Sequence, residues 1–247
     1  MKDLFVSKSG VVRNKAGDVV KITSEAQLAS RVTLLDVIQA CPKLEYLDLP
    51  NKRLREIPPE IGDLANLREL FLPNNQLSSI PPELGRLANL RAIDLSNNRL
   101  GSIPPEIGDL ANLQVLLLPD NQLSSIPTEL GKLANLQVLL LSDNQLGSIP
   151  PELGNLASLQ HLDLYSNRLS EVPPDLGRLA QLEFLNLSGN QLGSIPPELG
   201  QLTRLEALYL YANRLSEVPL EVITLPHLRT LDVSDNPLEG GIQPELG

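Results

Sequence analysis

The sequence predicts an α/β solenoid: one right-handed stack of repeats with a parallel concave β-sheet and a hairpin-plus-helix cap at its amino end. Three observations carry this prediction. The chain repeats every 23 residues from Leu44 onward, leucine fills 55 of 247 positions, and a proline stands at the fifteenth place of every full unit. Trp is absent, and Met and Cys occur once each. A core built so largely of one side chain reads as a single packing solution used again and again.

The units begin at Leu44, Leu67, Leu90, Leu113, Leu136, Leu159, Leu182 and Leu205, and a partial ninth runs from Leu228 to Gly247. This divides the chain into a cap (1–43), eight repeats (44–227) and a partial ninth (228–247). In the unit from Leu136 to Ser158, Leu136, Leu139 and Leu141 mark the buried face of a short strand, while Pro150 forbids a regular strand or helix interior at its place. Each unit therefore goes out as a strand and returns as an extended or short helical turn. The repeated text, with Asn144, Leu146, Ile149, Leu153 and Leu156 following the strand, resembles leucine-rich repeat proteins, especially the short proline-bearing bacterial and plant types. The resemblance covers residues 44–247 and implies a horseshoe with a buried asparagine ladder. The ladder positions are Asn75, Asn98, Asn121, Asn144, Asn167, Asn190, Asn213 and Asn236, with Lys52 replacing Asn in the first unit.

Residues 1–43 break the period, as the end unit of a stack requires. Val11–Arg13 and Val19–Ile22, separated by Asn14–Asp18 with Gly17, read as a hairpin. Ser24 with Gln27 reads as a capping box opening a helix whose stripe is Leu28, Val32 and Leu35, ending near Ala40 before Pro42. Cys41 is expected to pack where cap meets repeats. At the other end, Asn236–Ile242 is one residue longer than its predecessors and no polar cap follows. The sequence is therefore expected to be monomeric unless that edge pairs, or to be a piece of a longer protein.

A net charge of −10 and a pI near 4.7 disfavour binding to nucleic acid or to an anionic membrane. One cysteine forms no internal disulfide, and the first residues lack a secretory apolar run, which points to the cytoplasm. The chemical motifs are equally bare. His161, Asp163 and Tyr165 alternate along one strand beside Asn186, but only two histidines exist, and no phosphate-binding or zinc-binding signature occurs. The reading is a non-enzymatic protein with no cofactor and no metal.

Comparing repeats within the chain separates positions that stack from positions that are free. The returning segment is nearly constant and carries a convex acidic ladder, Glu60, Glu83, Glu106, Glu129, Glu152, Asp175, Glu198 and Glu221, read as a solubility device. The third, fifth and seventh places vary and hold six of the seven aromatic residues. Tyr46, Phe71, Val115, Leu117, Val138, Leu140, His161, Asp163, Tyr165, Phe184, Tyr209 and Tyr211 are the candidate partner-binding residues. Apolar groups that stacking does not require suggest a protein or peptide ligand on the concave face. Two alternatives remain: the recognition part of a larger signalling or effector protein, such as a Roco-type GTPase or bacterial ubiquitin ligase, and a consensus-like engineered scaffold.

Overall fold

A computed structural model describes residues 10–24 and 32–239. Strands β1 (Val11–Arg13) and β2 (Val19–Ile22) form the antiparallel hairpin expected from the sequence. Nine three-residue strands follow: β3 (Tyr46–Asp48), β4 (Glu69–Phe71), β5 (Ala92–Asp94), β6 (Val115–Leu117), β7 (Val138–Leu140), β8 (His161–Asp163), β9 (Phe184–Asn186), β10 (Ala207–Tyr209) and β11 (Thr230–Asp232). From β2 onward every neighbour is parallel, and the eleven strands lie in sequence order in one sheet. Backbone pairing continues past the strand ends, as in Leu118 N–H to Leu140 O and Asp120 N–H to Ser142 O. Parallel strands in unbroken order leave one continuous concave wall.

Behind that wall lies a core of stacked leucine. Leu136, Leu139, Leu141, Leu146, Leu153 and Leu156 are fully buried, as are their counterparts in the units on either side. The ladder asparagines enter this core fully paired. The Nδ2 of Asn144 donates to Leu141 O and Ser142 O of its own unit and to Leu118 O of the one before, while its Oδ1 accepts from Leu123 N–H. The same set recurs at each ladder asparagine from Asn98 to Asn213. Because each amide reaches back to the preceding unit, the first unit has nothing of this kind to hold, and Lys52 replaces Asn there. Lys52 N–H itself donates to Asn75 Oδ1.

The return path is a five-residue 3-10 turn in seven of the units, such as Pro151–Asn155, with proline or threonine at its first position. The eighth uses a short α-helix, α2 (Leu220–Ile223), numbered after the cap helix described below. Glycine in these turns permits close approach: a Cβ on Gly131 would collide with the Glu152 backbone carbonyl of the next unit. Gly147, on the stretch between strand and turn, has nothing within 4 Å of its own Cβ position. The eighth place of every repeat has a positive φ, held by Asn51, Asn74, Asn97, Asp120, Asp143, Ser166, Gly189, Ala212 and Asp235. Asn, Asp and Gly tolerate this left-handed conformation; Ser166 and Ala212 do so at a cost.

The cap helix differs from the expectation. Helix α1 spans Leu34–Ala40 and is opened by Thr33 and Asp36, not by Ser24 and Gln27. Thr33 Oγ1 accepts from Asp36 N–H, and Asp36 Oδ2 accepts from Thr33 N–H at 2.7 Å, a reciprocal pair that fixes the start. The buried stripe is accordingly Leu34, Val37 and Ile38, with Val32 and Leu35 half-buried. Gln27 and Leu28 lie outside the described residues. Cys41 is buried at the junction, and burial pushes its thiol pKa up.

Replacing Asn144 with Leu strands Leu123 N–H and takes one of two donors from each of Leu118 O, Leu141 O and Ser142 O, so chemical denaturation should show a loss of about 1–3 kcal/mol. Gly131→Ala should lower stability by about 1–3 kcal/mol through overpacking, while Gly147→Ala stays within about 0.5 kcal/mol of wild type. Ala212→Asn should raise stability by about 1 kcal/mol in the same assay, by relieving the left-handed strain.

Candidate functional site

The pleat places every second strand residue on the concave wall. Register brings the third places into one row, Tyr46, Glu69, Ala92, Val115, Val138, His161, Phe184, Ala207 and Thr230. The fifth places form a second row, Asp48, Phe71, Asp94, Leu117, Leu140, Asp163, Asn186, Tyr209 and Asp232. All twelve predicted residues stand in these rows or in the seventh-place row beside them. Val115, Leu117, Val138 and Leu140 make one compact aliphatic block of neighbours. These side chains are half-buried rather than fully exposed, since adjacent strands shield one another at about 4.8 Å.

Two aromatic clusters flank the block. At the amino end Tyr46 and Phe71 meet edge to face at 5.6 Å, and Lys21 of β2, in register with Tyr46, holds its Nζ 4.1 Å from the centre of the tyrosine ring. At the carboxyl end His161 stacks on Phe184 at 6.0 Å, and Phe184 reaches Tyr209 at 5.6 Å. Tyr165 and Tyr211 come from units two apart, yet their ring centres are only 6.0 Å apart. They lean together over Ser188, which is fully buried and whose Oγ has no hydrogen-bond partner.

Sequence reasoning missed what the fifth-place carboxylates do for the backbone. Asp163 Oδ1 accepts from Tyr165 N–H, as Asp94 does from Ser96, Asn186 from Ser188 and Asp232 from Ser234. Where the fifth place is Phe71 or Leu117, the seventh is Pro73 or Pro119, which has no N–H to satisfy. The compensation is readable in the sequence at these two units; Leu140 and Tyr209 are followed by Ser142 and Tyr211 instead. Burial, opposed by the Tyr165 N–H and reinforced by the Asp143 charge, raises the Asp163 pKa above the ordinary carboxylate value. Tyr211 is pushed up to about 12, first by its hydrogen bond with Tyr165, then by burial and by the charges of Asp232 and Asp163.

The two histidines have different surroundings. His161 is exposed on the wall, whereas His227 Nδ1 lies 2.7 Å from Thr203 O. That place belongs to a second ladder, in which Asn89, Asn112 and Asn135 donate to Ala65, Ala88 and Ala111 carbonyls. Among the described residues no set of three His, Cys, Asp or Glu is arranged to hold a metal ion. No helix among them is long and apolar enough to cross a membrane.

Family models for leucine-rich repeats match residues 42–100 (leucine rich repeat), 82–174 (leucine-rich repeat region), 180–222 (two copies) and 227–247 (one repeat). The chain belongs to the leucine-rich repeat family. A leucine-rich repeat protein of Leptospira interrogans is similar at 41% identity and a TM-score of 0.78, over 82% of this chain and 52% of that one. The Arabidopsis receptor kinase HAESA, solved with the peptide hormone IDA and the co-receptor SERK1, is similar at 33% identity and a TM-score of 0.72, over 81% of this chain and 35% of that one. An internalin from Listeria monocytogenes shares the fold at 21% identity and a TM-score of 0.69, over 86% of this chain and 67% of that one. No curated protein sequence matches the chain.

Because folding holds the Tyr211 proton more tightly than the unfolded chain does, its stabilisation is complete below about pH 10 and fades as pH rises toward 12. Titration of tyrosinate absorbance should show a step near pH 12 that moves down in Tyr165→Phe.

Proposed function

We propose that this leucine-rich repeat protein is a non-enzymatic recognition module that binds a protein or peptide ligand along its concave wall. The observation that carries this reading is the placement of the aliphatic block and both aromatic clusters on one continuous face whose side chains the leucine core does not use. A rigid sheet presents that face with little ordering cost on binding. HAESA, similar over most of this chain, was solved with a peptide hormone, which supports a peptide as ligand.

A second reading has a specific observation behind it. The chain spans about half the length of the Leptospira protein and about a third of HAESA, in keeping with a recognition part of a larger signalling or effector protein. The cytoplasmic location is likewise part of the proposal, carried by the single cysteine.

Affinity capture tests the reading when wild type is compared with Leu140→Glu, Tyr209→Ala and a convex control, Glu106→Arg. The two concave variants should keep the wild-type unfolding temperature within a few degrees and lose the captured partner, while the convex control keeps it. Unchanged capture by both concave variants contradicts the proposal.

A further inference from the structure

The charge on the concave wall is one-sided. The third, fifth and seventh places of the nine repeats contain Asp48, Glu69, Asp94, Asp163 and Asp232, and no Lys or Arg. The arginines stand outside these rows. Arg68, Arg91 and Arg229 precede the strands, Arg99, Arg168 and Arg214 follow them, and Arg68 and Arg229 are paired with Glu45 and Glu206. A wall that is both acidic and aromatic, with an aliphatic block beside it, complements a ligand that is basic and apolar.

The molecule itself shows how such a wall holds a cation. Lys21, reaching the sheet from the cap hairpin, lies over the Tyr46 ring, with Asp48 and Glu69 acting on the same tyrosine. The carboxyl end has the same ingredients without an internal lysine in register. Tyr165 and Tyr211 supply two ring faces, Asp163 and Asp232 act on Tyr211, and Asp143 acts on Asp163. Beneath the rings the Ser188 hydroxyl is buried without a partner, an unfavourable state that an incoming N–H donor relieves when the rings part.

We propose that the Tyr165–Tyr211 pair, between Asp163 and Asp232, receives the lysine or arginine side chain of an extended peptide whose apolar side chain rests on the β6–β7 aliphatic block. This inference rests on the concave-recognition reading and deepens it by naming the ligand's chemistry. Spacing makes it specific. From the middle of β6–β7 to β9, midway between the two tyrosines' units, is about two and a half strand spacings, or about 12 Å. An extended chain running across the strands covers that distance in about three to four residues.

The test is selection from a random dodecapeptide library on wild type and on two double variants. Leu117→Ser with Leu140→Ser removes the aliphatic block without changing charge. Asp163→Asn with Asp232→Asn removes two charges and keeps the backbone acceptors, as Asn186 already does in its own unit. Clones lost on the serine variant should carry Lys or Arg three or four residues from an apolar residue. They should bind the asparagine variant about tenfold more weakly, and wild type more weakly as salt is raised. Serine-sensitive clones that are acidic or neutral, or that bind the asparagine variant as well as wild type, overturn the basic-ligand inference and leave concave recognition standing. A library that yields no serine-sensitive clone counts against both.

Discussion

The structure depends on the buried asparagine amide that each repeat extends to the one before it. Leucine burial supplies most of the free energy of stacking, but it is non-directional, and a leucine stack alone does not fix one register. The Asn144 amide makes four hydrogen bonds to backbone groups of two successive units and so sets their spacing and alignment together. Its value comes from the asymmetry of buried hydrogen bonds: made, each contributes modestly, while without the amide Leu123 N–H is left desolvated in the core.

That constraint explains why the concave wall is free to vary. Once leucine and asparagine determine the stack, the third and fifth places need only suit a pleated surface. Even there the backbone keeps a claim. Asp163 and Asn186 satisfy the N–H groups two residues on, and proline removes that N–H after Phe71 and Leu117. The candidate surface is thus a set of side chains chosen largely within a backbone rule, from which Leu140 before Ser142 and Tyr209 before Tyr211 depart.

Much of this was legible in the sequence. The 23-residue period located the repeat strands and the rows of concave residues, because a strand's two-residue alternation leaves little choice of face, and two valine-rich runs around Gly17 located the hairpin. The helix start was not legible: Ser24–Gln27 and Thr33–Asp36 are both plausible boxes, and only the packing of Leu34, Val37 and Ile38 selects the second. Nor did spacing reveal that Tyr165 and Tyr211 close over Ser188, since two residues 46 apart gave no sign of contact until the rings were seen to lean across the intervening unit. The ladder place of His227 was equally hidden, because its counterparts in neighbouring repeats are Asn135, Ser158, Gln181 and Arg204.

Native-state hydrogen exchange tests the central claim most directly. The amides of Leu100, Leu123, Leu146 and Leu169 donate to the Oδ1 of the next unit's asparagine. They lie outside the strands, where exchange would otherwise be fast. If the asparagine ladder holds the stack together, these amides exchange as slowly as those of the central strands and respond to denaturant with the same global slope. Exchange at the rate of the neighbouring exposed turns would contradict the account.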